Sequence, residues 1–588
     1  MRPIKSLRAL LLSLVVAASC ILPAGMNPGQ VQAAEGKWHL VFQEEFNEPI
    51  LDPTKFSDSY LPHWTTVEQS LAHYDLRDGI CSLRIDKDGQ GPWWKDAGVQ
   101  KVSSIQTGMR DGLHHFWKTC SITEHHRAVS NFETKYGYFE LRARIPKDGG
   151  LHSAWWMIGT ESRPQEAGEI DIFEICGPDI GKDKSRVRVS VHPWEDERLS
   201  EQNLNYHVPC DLSEDFHTYG FEWTAEGMKF YFDGELIRQT KQSPNYKMMT
   251  LLGIYENNAP LWSGSPDYDS VYPKRFEIDY FRAFKTDEIL AQEAAEQREA
   301  QPGENLAPYA IAGAGQDWNR KSPPSYLIDN DAHTALQSVD EPNFPQYLYL
   351  DWKEAQRFDS LTLKSSYAQG QAPTNWELEV SADGQGDWQR VAASGDVNWE
   401  RKDSQIEARR LQFPAVEAKA LRVKINSANL DWGHYAINEL LVHDSTAGGE
   451  TLNLAPDATA EWRSEHPDWL IDGQRLVAGQ SKIWPQMPSD ILLHWPWPVS
   501  FNEVQLHCWH ALGQAPKEIS VEVSTDGQQW RPIVARTGLN WTHEDATLET
   551  QTLRFETVEQ VRWLRLRVHG AYTRWRHFAI NELEVYRR

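Results

Sequence analysis

The sequence predicts an all-β protein, a large antiparallel β-sandwich followed by two smaller β-domains. Three observations predict it. Short alternating apolar runs, broken by Gly, Pro and Asp, fill residues 38 to 285, and helical periodicity is scarce. One Ala/Glu/Gln-rich stretch then interrupts them. After it, a set of short motifs recurs at an offset of about 143 residues, a domain length rather than a solenoid period. With 588 residues and 40% hydrophobic content, the chain is long enough to bury several cores.

Residues 1–34 read as an export signal. Arg2, Lys5 and Arg8 precede an apolar run from Ala9 to Ile21, and Val31-Gln32-Ala33, with Ala34 next, offers a small-residue cleavage site. The run is short for a transmembrane span, and no second long apolar stretch follows. The expectation is a secreted, extracellular protein without a transmembrane segment. Ala18-Ser19-Cys20 offers an alternative, a lipid anchor at Cys20, although Ala17 stands where Leu is usual. The six Cys (Cys20, Cys81, Cys120, Cys176, Cys210, Cys508) are too sparse for a disulfide framework. One bridge among Cys81, Cys120, Cys176 and Cys210 stays open, and no spacing suits zinc.

The first domain is expected over 35–285. Trp38 to Phe42, Tyr136 to Ile145 and Arg275 to Phe284 alternate as strands. Phe216 to Asp233 reads as two more, with Asp233-Gly234 a hairpin turn. Residues 286–304, containing Asp287 to Gln297 and ending at Pro302-Gly303, read as a helical, semi-rigid spacer. Two homologous domains follow at 305–445 and 453–588, split by a Gly-bearing linker at 446–452. Asn305-Leu306-Ala307-Pro308 recurs at 453–456, Leu327-Ile328-Asp329 at 470–472, and Gly370-Gln371-Ala372-Pro373 at 513–516. Ser381-Ala382-Asp383-Gly384 returns as Ser524-Thr525-Asp526-Gly527, and Ala436-Ile437-Asn438-Glu439-Leu440 at 579–583.

A net charge of −25 argues against nucleic acid and anionic membranes and favours a neutral partner. The 26 Trp exceed ordinary needs; Trp fills cores and also offers flat platforms for sugar rings.

One stretch carries visible chemistry: Gly168-Glu169-Ile170-Asp171-Ile172-Phe173-Glu174. Its carboxylates stand at i, i+2 and i+5 in a strand-forming run. In a flat strand the third would face away from the first two. A β-bulge would return Glu174 to the face of Glu169 and Asp171. Three acids on one face repel each other, which a purely structural strand avoids. Carboxyl groups held at different protonation states are what glycoside hydrolysis needs.

With Phe42-Gln43-Glu44-Glu45-Phe46, Tyr136 to Arg142, Phe216 to Trp223 and Ile278 to Arg282 in this order, the first domain resembles glycoside hydrolase family 16. That family consists of jelly-roll sandwiches acting as retaining endo-glycanases. Glu-x-Asp-x-x-Glu looks like its β-bulge branch, which includes laminarinases, agarases, carrageenases and endo-β-galactosidases. The resemblance implies Glu169 as nucleophile, Glu174 as acid/base and Asp171 as the residue assisting Glu169. A retaining enzyme holds its two carboxyl groups about 5–5.5 Å apart. It also implies substrate contacts at Glu140, Arg142, Trp156 and Trp223, with Trp155, His192, Trp194 and Trp262 as further candidates. Two features depart from laminarinases: His152 stands where a Trp is usual, and no Trp-Pro precedes Gly168. No cofactor is implied for catalysis. A structural calcium is implied at Glu45 and Asp279.

The two later domains resemble the F5/8 type C (discoidin) domain and carbohydrate-binding module family 32, which are galactose-binding-like sandwiches. Ligand-binding candidates on loops are Trp318, Asn319, Arg320, His333 and Trp432, then Trp462, Arg463, Trp484, Tyr572 and Trp575. A second structural calcium is implied at Asp329, Asp331, Thr334 and Glu439. The second copy keeps Asp472 and Glu582 but lacks the other two. The expectation is a monomeric endo-glycosidase on neutral β-linked polysaccharide, leading with β-1,3- or β-1,3/1,4-glucan. An endo-β-galactosidase and a non-catalytic glycan-binding protein are the alternatives.

Overall fold

The computed structural model describes residues 38–588, apart from 62–64, 88–92, 95–99, 111–121, 123, 297–303, 317, 332, 385, 445–452, 465–466, 472–474 and 476. The export signal, Cys20, Cys120 and Asp472 therefore lie outside the described residues. No helix among the described residues is long and apolar enough to cross a membrane. Cys81, Cys176, Cys210 and Cys508 are free thiols.

The first sandwich is built from β1 (His39–Glu44), β2 (Tyr74–Arg77), β3 (Ile80–Ile85), β4 (Gln100–Gln106), β5 (Gly137–Arg144), β6 (Leu151–Gly159) and β7 (Glu169–Cys176). It continues with β8 (Ser185–His192), β9 (His217–Thr224), β10 (Gly227–Phe232), β11 (Glu235–Thr240), β12 (Met248–Glu256) and β13 (Lys274–Lys285). One sheet runs β11-β10-β9-β5-β13-β3-β2, with β1 also on β13. The other has β8-β7-β6-β12-β4 at its centre. Period-2 alternation sends Phe139 and Leu141 of β5, Trp155 and Met157 of β6, Ile170 and Phe173 of β7 and Phe281 of β13 into the core between the sheets. The far face of β6 is covered as well. Ala154, Trp156 and Ile158 pack with Tyr60, Leu61, Val102, Met249, Leu251 and Tyr255 in a second, smaller cluster. Burial on both faces explains why Leu151–Gly159 reads as an unbroken apolar run.

The helix α1 (Asp287–Glu296) forms as expected, but it does not stand free as a spacer. Asp287 accepts a hydrogen bond from His39 at 2.8 Å, Lys285 pairs with Glu293, and Ile289 packs on the first core. Apolar contact and opposite charges fold it back onto the sandwich.

The first repeat contains β14 (Ile311–Ala314), β15 (Gln346–Ser365), β16 (Pro373–Ser381), β17 (Gln389–Ala393), β18 (Glu407–Ala428) and β19 (Glu439–His443), ordered β14-β15-β18-β16-β17 with β19 on β15. The second repeats that order with β20 (Thr459–Glu461), β21 (Ser489–Cys508), β22 (Pro516–Ser524), β23 (Arg531–Gly538), β24 (Glu549–Ala571) and β25 (Glu582–Tyr586). The recurring motifs have matching physical duties. Asn305 Oδ1 accepts from the N–H groups of Ala307 and Val442, and Asn453 Oδ1 does the same for Ala455 and Val585. Trp352 and Trp495 are buried, and each donates its indole N–H to the carbonyl of Leu306 or Leu454. Each repeat thus closes its first turn onto its last strand.

The first repeat is docked on the first sandwich. Ile122 enters its core, and the His125 ring stacks on Tyr349 with centroids 3.4 Å apart. The Ala128 N–H donates to Asp351 at 3.2 Å, and Arg320 pairs with Glu195 at 3.1 Å.

Candidate active site

The bulge expected in β7 is present. Against β6, Asp171 is opposite Trp156 and Phe173 opposite Trp155, so Ile172 is the extra residue. Against β8 the register slips by the same single residue between Asp171 and Glu174. Ile170, Ile172, Phe173 and Ile175 turn to the core, which leaves Glu169, Asp171 and Glu174 together on the opposite face. The apolar side chains of the bulge hold the acids there, because reversing them would expose two core residues.

The neighbouring strand β8 supplies the counter-charge. His192 lies opposite Glu169, and one ligating atom each of Glu169, Asp171 and His192 fall within 4.8 Å of one another. His192 Nε2 is 3.1 Å from Asp171 Oδ2, and Nδ1 is 2.8 Å from Glu201. An acid beside each ring nitrogen favours the imidazolium form. Burial opposes that charge, but Asp171 first, then Glu169 and Glu201, push the imidazole up to about 10. Trp194 donates its indole N–H to Glu169 Oε2 at 2.8 Å. Its backbone is left-handed, with φ 47°, unusual for a bulky residue, and this aims the ring across the strand end.

Burial, then the Asp171 carboxylate, pushes both glutamates above the ordinary carboxylate range, Glu174 to about 8. Donors separate the two. The His192 cation favours negative charge on both glutamates, whereas the Trp194 indole does so on Glu169 alone. Among the described residues no hydrogen bond reaches Glu174. Two coupled carboxyl groups on one face, only one of them held by a hydrogen-bond donor, are what an acid/base pair starts from.

The surroundings are aromatic. Trp156 donates to the Tyr255 hydroxyl at 3.1 Å. His152 lies flat on Tyr255, with ring centroids 4.3 Å apart and planes 8° apart, and meets Trp262 at 4.5 Å. Burial, then Arg188, holds the His152 imidazole down to about 3, so it is neutral and acts as a flat ring.

Of the expected substrate contacts, Trp156, His192 and Trp262 belong to this face, and Trp194 with them. Four do not. Trp155 is fully buried between the sheets, edge-on to Phe173 and Phe281. Adjacent residues of a strand point to opposite faces, so Trp155 and Trp156 cannot both reach the site. Trp223 is buried in the other sheet and donates to Ser243 and Pro244. Glu140 and Arg142 lie on β5 of that sheet, on the side away from the core. Glu140 accepts from Tyr280 at 2.7 Å, and Arg142 pairs with Asp279. Sequence reasoning passed over Tyr60, Tyr255, Asp179, Arg188 and Glu201. The alternation of Arg186, Arg188, Ser190 and His192 on β8 was the available signal for Arg188, since it puts all four on the face of His192.

The expected calcium ligands divide. Glu45 is held by Arg282 through two hydrogen bonds, at 2.7 and 2.8 Å, and Asp279 by Arg142. Each carboxylate is already neutralised by a guanidinium, so this pair does not fit a calcium ion. In the first repeat Thr334 Oγ1 donates to Asp329 at 2.9 Å, and Asp331 N–H donates to Asp329 at 3.1 Å. Glu439 is buried beside them, and both its oxygens lack a hydrogen-bond partner. An orphaned buried carboxylate next to a second acid suits a divalent cation with oxygen ligands.

Several loop residues expected to bind ligand are structural. Trp318 and Trp462 are buried in the repeat cores. Trp432 and Trp575, at equivalent positions, are 51% and 43% exposed. Trp432 meets Tyr367 edge-on at 5.3 Å, and Trp575 meets His510 at 5.5 Å.

A bulged strand with three carboxyl groups on one face of a two-sheet sandwich is an arrangement suited to a glycoside hydrolase. Comparison with known proteins agrees. The family model of glycosyl hydrolases family 16 matches residues 94–282, and that of the F5/8 type C domain matches residues 311–440. The chain is 30% identical over 236 residues to the glucan endo-1,3-beta-glucosidase of Cryptopygus antarcticus, covering 40% of this chain and 77% of the relative. It is 26% identical over 309 residues to the kappa-carrageenase of Pseudoalteromonas carrageenovora, covering 48% and 72%. The beta-glucanase of Acetivibrio thermocellus is 27% identical over 220 residues, covering 36% of this chain and 57% of that relative. The chain belongs to glycosyl hydrolases family 16, and an F5/8 type C domain follows its catalytic region.

Proposed function

We propose that this chain is a secreted, retaining endo-glycosidase whose substrate is a β-1,3- or β-1,3/1,4-glucan. The observation that carries the proposal is the bulge at Ile172, which puts Glu174 on the face of Glu169. In this reading Glu169 attacks the anomeric carbon, helped by Trp194, which orients the carboxylate. Asp171, locked to His192, holds the charge balance around it. Glu174 gives its proton to the leaving oxygen and then takes one from water. Trp262 and the exposed edge of Trp194 supply apolar faces for sugar rings, with the buried Trp156 beneath them. The glucanase names among the relatives favour a glucan. A galactan is the second reading, favoured by His152 in place of the Trp of laminarinases.

The test is incubation with laminarin, lichenan, agarose, galactan and keratan-type chains, with mass spectrometry of the products and proton NMR of the first anomer formed. Oligosaccharides from laminarin or lichenan, released first as the β-anomer, are expected. Products from the galactans alone would move the assignment to the second reading. An initial α-anomer would overturn retention, and no product from any chain would leave a glycan-binding protein.

The exposed pairs Trp432/Tyr367 and Trp575/His510 are the proposed sugar platforms of the two C-terminal modules. Two weak sites on one chain raise retention on a polymer through effective concentration. Calcium held by Asp329, Asp331, Thr334 and Glu439 would neutralise the orphaned carboxylate in the first module. Chelation by EGTA is expected to lower Tm by roughly 5 °C or more. Added calcium should restore it, and Asp329→Asn should abolish the response. A Tm indifferent to chelator would remove the ion from this site.

A further inference from the structure

We propose that Asp179 is a positioning residue for the acid/base carboxyl: it draws the Arg188 guanidinium away from Glu174, so that Glu174 keeps the proton it must donate. The inference rests on the reading of Glu174 as acid/base and deepens it.

Arg188 is directly opposite Glu174 in the β7–β8 register. Opposite residues of antiparallel strands have Cβ atoms about 4.5–5.5 Å apart, well within the reach of an arginine. A guanidinium and a carboxyl so placed ordinarily close into a charged pair, and such a pair holds the carboxyl ionised. That would disable a general acid. Here the pair is diverted: Arg188 Nε lies 2.6 Å from Asp179 Oδ2, and no ion pair joins Arg188 to Glu174 among the described residues.

The diversion is built into the chain. Asp179 ends the 3-10 turn Gly177–Asp179, which follows β7 directly and contains Pro178. Its backbone therefore has little freedom relative to Glu174. Trp262 covers the guanidinium at 5.9 Å. The Arg188 and Asp179 side chains are only 16% and 14% exposed, so the pair is shielded from the screening that weakens surface salt bridges.

The other titratable groups around Glu174 do not take over this task. On its own strand stand Glu169, Asp171 and Cys176, whose thiol is pushed up to about 12 by burial. From β8 comes His192, committed to Asp171 and Glu201. From β6 comes His152, neutral and stacked on Tyr255. From β12 comes Tyr255, whose hydroxyl accepts from the Trp156 indole N–H and donates to the Tyr60 hydroxyl. Arg188 is the cation directly across from Glu174, and Asp179 is its recorded ion-pair partner.

The experiment reads Glu174 directly, without a substrate. Full-length protein carrying glutamate labelled with carbon-13 at the side-chain carboxyl is titrated by NMR, and the Glu174 signal is assigned by its loss in Glu174→Gln. The wild-type midpoint is expected near 8. In Asp179→Asn the freed Arg188 closes on Glu174, and the midpoint drops by about one to three pH units. Loss of the Asp179 charge alone would also lower it, so the decisive comparison is made in the Arg188→Met background. There Asp179→Asn should lower the midpoint only by that charge effect, clearly less than it does with Arg188 present. An unmoved midpoint in Asp179→Asn alone, or an equal drop with Arg188 absent, would overturn the proposal. Should Asp179→Asn not fold, Asp179→Ser asks the same question. If Glu174→Gln hydrolyses polysaccharide normally, the acid/base reading fails, whereas the titration cycle still reports on the three side chains.

Discussion

Replacing Glu169 or Glu174 by Gln is expected to cut polysaccharide turnover on the order of 10⁴-fold or more while leaving the fold intact. Both side chains are on the face of β7 turned away from the core, so neither substitution should lower Tm. The two variants should fail differently. On an aryl glycoside whose leaving group needs no proton, Glu174→Gln should still form the glycosyl-enzyme, and added azide should restore turnover. Glu169→Gln should form none. The pH profile follows from the same geometry. A general acid works protonated, so kcat/KM should fall as pH rises through about 8, the value to which burial, then Asp171, pushes Glu174. The same shift has a sign for stability. Below the ordinary value of 4.5 both folded and unfolded chains are protonated at this site. Above it the unfolded chain ionises first, so stability declines with rising pH until about 8. Glu174→Gln removes that decline. Melting curves at several pH values and the two substrate assays check all of this, and near-normal turnover in either variant would sink the assignment.

Trp155→Ala is the second large effect, and it should be one of stability. The side chain is fully buried against Phe173 and Phe281. Emptying such a site costs about 3–5 kcal/mol, the lost transfer energy plus the cavity left behind. Chemical denaturation should show that loss, with KM of the remaining folded enzyme near normal at low temperature. A stable variant with raised KM would instead return Trp155 to the cleft.

The acids of β7 were legible from sequence because their chemistry conflicts with their spacing. Three carboxylates at an awkward period make sense only with an extra residue, and Ile172 is that residue. The internal repeat was legible because residues such as Asn305 and Asn453 do the same hydrogen-bonding work in each copy. Aromatic roles were not. In Trp155-Trp156 one ring must face each way, and the sequence does not say which face is the core. Glu140 and Arg142 resembled a substrate pair, but membership of one sheet or the other depends on pairing between strands far apart in the chain. Arg188 went unnoticed because its meaning lies in its partner across β8 and β7, which only the register reveals.

The insertion of Ile122 into the core of the first repeat makes the sequence boundary near 286–304 a poor place to divide the protein. Modules joined by flexible tethers can be exchanged between enzymes as interchangeable cassettes. This one cannot leave without stripping an apolar residue and the His125–Tyr349 stack from its own interior. Cutting between the hydrolase and its first companion would expose that apolar residue and break that stack.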